Sequence, residues 1–457
     1  MLLEFRVGNF LSFREVQTLR LRRKDGNGKE SGSDQIFIYG PNASGKSNFV
    51  KAMKFAADIV RNASTFDVVN FTIKDTFKET DEGDFKDVPI PDYSHLDMDN
   101  IPWIDEPSYF EFILRQDGKD YSLGFEMDFT KKKIVSEWLV CLSDDRTIFD
   151  NKYGDLVSTF TTQDSEHGEM SLDTGMNYSR EVPEQSIFFG SVTDESASKI
   201  VDWFFTSFIV VPSKDYEACI PVPDDFEEMM GRYLNHLDTG IDGVYSTVAV
   251  AMPKRYYGVT EAMQMVNEFI AKSESYIVFV NDSDGKIRMY KVTDMDPYED
   301  EIGGPLNGIS EIRFRHGKGS SYIAKESEGT IKIIQLLTLL ISQFRGSRDT
   351  IVIDEMECSI HASLMNELVR MFSSDKIKGT QLIATTHETS IMDLDCLDEN
   401  SFWFVGTKEQ SGDRRSELYS LKSFTGKKDD FKTMYLDGRF EAIPSFMDLN
   451  IYNDQEE

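Results

Sequence analysis

Cysteine is scarce in this sequence, and the little there is lies scattered. Cys141, Cys219, Cys358 and Cys396 form no Cys-x-x-Cys pair and share no zinc-like spacing with histidine. That argues against a disulfide framework and against a structural zinc site, and it fits a reducing compartment. Long apolar runs are also missing. The most apolar stretches, 200–211 and 331–341, are too short or too interrupted to span a bilayer, and no charged start followed by an apolar segment opens the chain. The expectation is a soluble, cytoplasmic protein with no membrane association. Sustained heptads are absent, which argues against a long coiled coil. Internal repeats and low-complexity tracts are absent as well.

Positive charge is the other shortage. Lysine and arginine number 49 against 80 aspartates and glutamates, a net charge of −31. Such a surface repels phosphate backbones, so broad nucleic-acid binding is disfavoured unless a local basic groove exists. Two readings of the acidity stay open: solubility alone, or a basic protein partner. The 40% hydrophobic and 12% aromatic content is enough for a sizeable interior and excludes a wholly disordered chain. At 457 residues, two cores or one core with large insertions are both possible.

The patterning is clearest at the two ends. Leu3-Glu4-Phe5-Arg6-Val7 alternates apolar and charged residues as a half-buried strand does, 16–21 repeats the pattern, and Ile36-Phe37-Ile38-Tyr39 is a short apolar run ending at Gly40. The stretch 25–34 reads as a loop. Val50, Met53, Ala57 and Val60 then share one face of a helix starting near Ser47. The acidic stretch 65–106, with Pro89, Pro91 and Pro102, reads as a surface insertion. A hairpin is expected over 109–129, turning at Gln116-Asp117-Gly118. Signals weaken through 141–307, where helices at 197–208 and 224–237 and strands at 276–280 and 287–292 are predicted. Beyond it come a buried helix at 329–344, a strand at 350–353, a helix at 361–372 and a strand at 381–386. That alternation predicts a mostly parallel sheet with helices packed on it.

Four short segments carry chemistry. Gly40-Pro-Asn-Ala-Ser-Gly45-Lys46-Ser47 fits G-x-x-x-x-G-K-S between a strand and a helix. Its glycines let the backbone wrap phosphates, with N–H groups pointing inward at a helix N-terminus. Gly40, Asn42, Ser44, Gly45, Lys46 and Ser47 are therefore the expected nucleotide contacts. Lys46 would reach the β- and γ-phosphates and Ser47 would ligate Mg²⁺. Ile351-Val-Ile-Asp354-Glu355 is an apolar strand ending in two carboxylates. Asp354 is expected in the Mg²⁺ shell, and Glu355 is expected to orient and deprotonate the attacking water. Ala384-Thr-Thr-His387 is another strand end, whose histidine reads either as a surface or capping residue or as a γ-phosphate sensor. Ser327, in Lys325-Glu-Ser327-Glu-Gly329-Thr330, reads either as an ordinary N-cap or as an anion contact at a helix N-terminus.

The order of these motifs resembles the ABC ATPase superfamily, and within it the branch holding SMC, Rad50, RecF and the bacterial abortive-infection ATPases. The opening Phe5-Arg-Val-Gly-Asn9-Phe10-Leu-Ser-Phe13 resembles that branch's first strand, and Gly40-Pro-Asn42-Ala-Ser-Gly-Lys-Ser its phosphate loop. Ser327-Glu328-Gly329-Thr330 departs from LSGGQ but is similar to the signature of the abortive-infection group, which includes AriA of the PARIS system. Glu357-Cys-Ser359-Ile-His361 stands at the D-loop, without the group's proline. The resemblance implies an α/β, ABC-type P-loop fold: mixed N-terminal strands, a parallel core sheet flanked by helices, and a long α/β insertion between P-loop and signature. On that plan 1–140 and 308–410 are the two ATPase lobes. An insertion or partner-binding region covers 141–307, and 411–457 is a C-terminal extension. The resemblance also implies ATP and Mg²⁺ bound between two copies of the chain, with Ser327 and Gly329 of one facing the P-loop of the other.

Three functions compete. The first is a regulatory ATPase that assembles with itself and controls a separate effector, such as a toxin or TOPRIM-type nuclease, in anti-phage defence. The second is a RecF- or Rad50-like ATPase acting on DNA in repair, which would need Arg313, Arg315 and Lys318 to converge. The third is a nuclease fused to its ATPase, as in the OLD family. The seventy residues after His387 are too few for the nuclease domain that reading requires, so intrinsic nuclease activity is not expected.

Overall fold

The computed structural model describes residues 1–24, 30–65, 106–129, 133–152, 194–213, 218–248, 275–281, 285–293, 309–410, 413–424, 431–440 and 442. The acidic stretch 65–106 thus falls almost wholly outside the described residues.

The chain opens with β1 (Leu2–Gly8) and β2 (Gln17–Arg20), passes through a small hairpin of β3 (Arg22–Lys24) and β4 (Glu30–Gly32), and reaches β5 (Gln35–Tyr39). β4 lies in a stretch expected to be loop. Its Glu-Ser-Gly has no strand signal of its own and, among the described residues, pairs only with β3. Helix α1 (Lys46–Thr65) follows, then β6 (Ser108–Gln116) and β7 (Lys119–Asp128), joined at Asp117-Gly118. Both turn residues have positive φ, the turn whose twist matches a hairpin. With β8 (Lys133–Cys141) and β9 (Arg146–Lys152) these strands form an antiparallel sheet in the order β2-β1-β6-β7-β8-β9.

Helix α2 (Glu195–Thr206) starts at Asp194, whose carboxylate accepts from the Ser196 and Ala197 amides, and β10 (Phe208–Val211) follows at once. Next come β11 (Ala218–Val222), α3 (Phe226–His236), β12 (Gly243–Val248), β13 (Ser275–Asn281), β14 (Ile287–Val292), β15 (Ile309–His316) and β16 (Gly319–Ser321). They build a second antiparallel sheet, β11-β13-β14-β15-β12, with β16 added to β15. The chain continues through α4 (Glu328–Ser342), β17 (Thr350–Ile353), α5 (Ala362–Phe372), β18 (Gln381–Thr385), β19 (Phe402–Gln410), β20 (Asp413–Ser420) and α6 (Phe431–Leu436).

The central sheet runs β10-β17-β18-β5-β19-β20, parallel except for β20. Its strands are buried on both faces, so their apolar runs are nearly continuous. Alternate residues part to opposite sides. Ile36, Ile38, Val352, Ile383 and Val405 join the core beneath the first antiparallel sheet, with α1 and α2. Phe37, Tyr39, Ile351, Ile353, Ala384, Phe402 and Phe404 join the core shared with α3, α4, α5 and the second antiparallel sheet. Phe112 knits the first core together, its ring 4.8 Å from Phe5, 4.9 Å from Phe204 and 5.7 Å from Phe208. The result is the α/β P-loop architecture expected from the motif order.

Within the stretch 141–307, two described strands join sheets that the ends of the chain also build. β9 extends the first antiparallel sheet, and β10 forms an edge of the central sheet beside β17. Within 411–457, β20 closes the opposite edge of that sheet. Among the described residues no helix is long and apolar enough to cross a membrane.

Candidate functional site

β5 delivers the chain to Gly40 at the carboxyl edge of the central sheet, where ligands of open α/β sheets bind. The loop closes tightly: the Ser44 amide donates to the Pro41 carbonyl at 3.2 Å, and α1 begins at Lys46. Gly45 takes φ +110°, and a Cβ there would lie 2.3 Å from Ser416 Oγ and 2.7 Å from Ser12 Oγ, so only glycine fits. These two serines form a brace. Ser12 Oγ accepts from Asn48 Nδ2 at 2.9 Å, the Ser416 amide donates to the Ser12 carbonyl at 2.8 Å, and Ser416 Oγ donates to the Ser44 carbonyl. Asn42 is exposed at the loop's tip.

Lys46 is buried, and its ammonium donates to the loop's own carbonyls, Gly40 O at 2.8 Å and Pro41 O at 3.1 Å. Burial holds its pKa below the ordinary lysine value, and Glu357, Asp354 and Glu355 oppose that shift. Ser47 Oγ donates to Asp354 Oδ1 at 3.2 Å, and Thr385 Oγ1 donates to the same oxygen at 2.6 Å. The Asp354 amide is held by the Val211 carbonyl of β10 at 2.9 Å. Both side-chain bonds use Oδ1, leaving Oδ2 and the serine hydroxyl as a hard-oxygen pair. That pair suits Mg²⁺, which keeps waters and takes phosphate oxygens rather than a full protein cage. Among the described residues no three His, Cys, Asp or Glu gather to hold a metal by themselves.

Glu355 leaves the strand in a left-handed conformation, φ +49°, a costly one for a non-glycine residue, and it is exposed. Its amide is fixed by Thr385 Oγ1 at 2.8 Å. His387 follows β18, exposed, and its amide donates to Glu357 Oε1 at 2.7 Å. Burial and then Lys46 depress its pKa, against Glu357 and Glu355. Thus Lys46, Ser47, Asp354, Glu355 and His387 converge on one edge.

Ser327 and Gly329 are placed differently. Ser327 caps α4, its Oγ accepting from the Thr330 amide at 3.2 Å, and among the described residues its side-chain bonds stay within that turn. Gly329 packs on the turn after Glu355. A Cβ there would lie 2.3 Å from the Ser359 carbonyl. Two of the three basic residues of the DNA reading are held by acids. Arg313 pairs with Glu311 at 2.8 Å and Arg315 with Asp242 at 2.8 Å, on an interior strand rather than an edge.

Shortly before Ser327, His316 bonds Glu326 at 2.9 Å and the Gly240 carbonyl at 3.0 Å. Glu326 raises its pKa above 6.5, and burial only partly opposes this. The stabilisation is therefore complete below pH 6.5 and is lost as pH rises through the folded pKa. At this exposure it amounts to roughly 0.5 kcal/mol. We expect the wild-type melting temperature to fall more between about pH 6 and pH 8.5 than that of His316→Gln in parallel thermal melts.

Sequence reasoning missed Ser12, Asn48, Thr385 and Ser416 as site residues and placed Glu357 only as the first residue of the D-loop. Thr385 was legible in principle, as the polar residue ending a buried strand, and Glu357 as the third acid of an Asp-Glu-x-Glu run. Ser416 carries no local signal. Beside this brace opens a cavity of about 560 Å³ lined by Arg14, Gln17, Thr407, Lys408, Arg415 and Ser416 among others.

A family profile described as "AAA domain, putative AbiEii toxin, Type IV TA system" matches residues 36–181 and 273–393. No curated protein matches the chain. Among solved structures, an SMC head bound to the C-terminal winged-helix domain of ScpA is 14% identical. The match covers 92% of this chain and 98% of that one, with a TM-score of 0.41. The SMC head domain from Thermotoga maritima is 13% identical, over 92% of this chain and 98% of that one, with a TM-score of 0.37.

Proposed function

We propose, from the premise that this chain belongs to the AAA-domain family described as putative AbiEii toxin, that it binds and hydrolyses ATP as a switch between paired copies of itself. The observation that carries the reading is the Ser47–Asp354–Thr385 cluster set beneath the buried Lys46. Lys46 exchanges the loop carbonyls for the β- and γ-phosphates. Ser47 and Asp354 hold Mg²⁺, which supplies charge neutralisation to those phosphates when bound. Glu355 orients and deprotonates the attacking water, and His387 senses the γ-phosphate. Gly40, Asn42, Ser44 and Gly45 wrap the phosphates. The cavity beyond Ser416 takes the nucleoside. Release of inorganic phosphate from ATP by the purified chain with Mg²⁺ tests this; a chain that neither binds nor hydrolyses ATP overturns it.

The composite site rests on Ser327, which lies exposed at a helix N-terminus and bonds only within its own turn among the described residues. Such an end holds anions, so a second copy's γ-phosphate is the natural ligand. We assign the chain, by the resemblance of its motifs to the abortive-infection ATPases, to anti-phage defence, with AriA of the PARIS system as the comparison. The switch then controls a separate effector, a toxin or a TOPRIM-type nuclease, in the cytoplasm. The −31 charge supports a basic face on that partner. The pairing of Arg313 and Arg315 with acids weighs against the RecF-like alternative.

A further inference from the structure

Glu357 lies outside the residues that perform the proposed chemistry, yet it stands among them. It follows the Asp354-Glu355 pair by one short turn, and Oε1 accepts the His387 amide at 2.7 Å. Oε2 is buried and has no hydrogen-bond partner among the described residues. A carboxylate oxygen left so is expensive unless a cation or donor comes to it. Two buried ammonium groups face this carboxylate electrostatically, Lys46 and Lys332, and neither is hydrogen-bonded to it. Lys46 is turned to Gly40 and Pro41 instead. For both Lys46 and His387, Glu357 is the strongest of the carboxylates opposing the loss of positive charge.

We infer that Glu357 is a positioning residue. One oxygen fastens the His387 loop to the turn after Asp354, and the other holds a negative charge against Lys46 until the phosphates arrive. The inference rests on the ATPase reading for its effect on turnover. The fastening itself does not need ATP. When the phosphates draw Lys46 from the Gly40 and Pro41 carbonyls, Glu357 stays bound to the His387 amide. The histidine is then presented in register with Glu355, while a repulsive charge remains near the γ-phosphate. Glu357 therefore weakens ATP binding and promotes turnover together.

Two variants separate its two oxygens. Glu357→Gln keeps a carbonyl to accept the His387 amide but removes the charge. At the separations within one site, a lost like charge should tighten ATP about threefold to tenfold. The same variant should slow turnover at least about tenfold, because a donor replaces the open acceptor. Glu357→Ala removes both oxygens. Hydrogen exchange at the His387 amide, measured without nucleotide, should then accelerate by at least about tenfold, whereas Glu357→Gln should leave it near wild type. That measurement stands even for a chain with no ATPase activity. Unchanged exchange at His387 in Glu357→Ala overturns the fastening. In a wild type that does hydrolyse ATP, the charge assignment is overturned if Glu357→Gln turns over normally. It is equally overturned if Glu357→Gln loses binding and turnover in parallel, as a residue needed only for folding would.

Discussion

Glu355→Gln should bind ATP with wild-type affinity, within about threefold, while its turnover falls about 10²- to 10⁴-fold, the range for losing a general base. The structure gives this residue a distinct setting. β17 ends with Asp354 tied to β10 and to Thr385, and the next residue turns outward through φ +49° with its amide on the same threonine. The carboxylate thereby faces solvent at the sheet edge rather than the core. Glutamine keeps the size and the amide anchor, so neither fold nor Mg²⁺ ligation should change. Stopped turnover with retained binding would separate Glu355 from Asp354 and Ser47. Their loss should reduce the Mg²⁺ dependence of binding itself. Single-turnover phosphate release beside equilibrium titration reads both quantities.

Lys46→Ala should weaken ATP binding at least about a hundredfold. Two charge-assisted hydrogen bonds of about 1.5 kcal/mol each would be lost, and each 1.4 kcal/mol is a factor of ten. Stability should change little, because the ammonium's present partners are two loop carbonyls, Gly40 O and Pro41 O. ATP bound at wild-type strength by this variant, in equilibrium titration, would remove the P-loop assignment. Lys46→Arg would be a poor rescue, since its larger planar head is built for a bidentate fork rather than a point charge.

Much of this site was legible because its residues sit where periodicity changes. The alternating β1, the apolar β5, the glycine loop and the i, i+3, i+7 face of α1 each announce themselves locally. β17 and β18 do so too, as short apolar runs between turn residues. What stayed hidden depended on contacts made far along the chain. Phe208-Ile-Val-Val is an apolar run directly after a helix, and no period distinguishes its continuation from a strand. Only its pairing with β17 does so. Ser416 braces the phosphate loop from more than 350 positions away, and a serine in a charged strand carries no sign of it. Lys332 breaks the opposite way. It is a charged residue in a mostly apolar helix, buried where α4 packs toward the carboxylates after β17. Ser327 was read two ways, and the structure makes it the cap of α4. The second role needs another copy of the chain.

That pairing is the central claim, and the mass of Glu355→Gln in solution tests it most directly. Light scattering with and without saturating ATP and Mg²⁺ should show the variant associating only when ATP is present. Adding Ser327→Arg to it should abolish that association while ATP stays bound, because the long cation replaces the cap at the helix end proposed to face the second copy. A mass that ignores ATP would contradict the account, as would association that survives Ser327→Arg, and either would leave an ATPase whose site is complete within one chain.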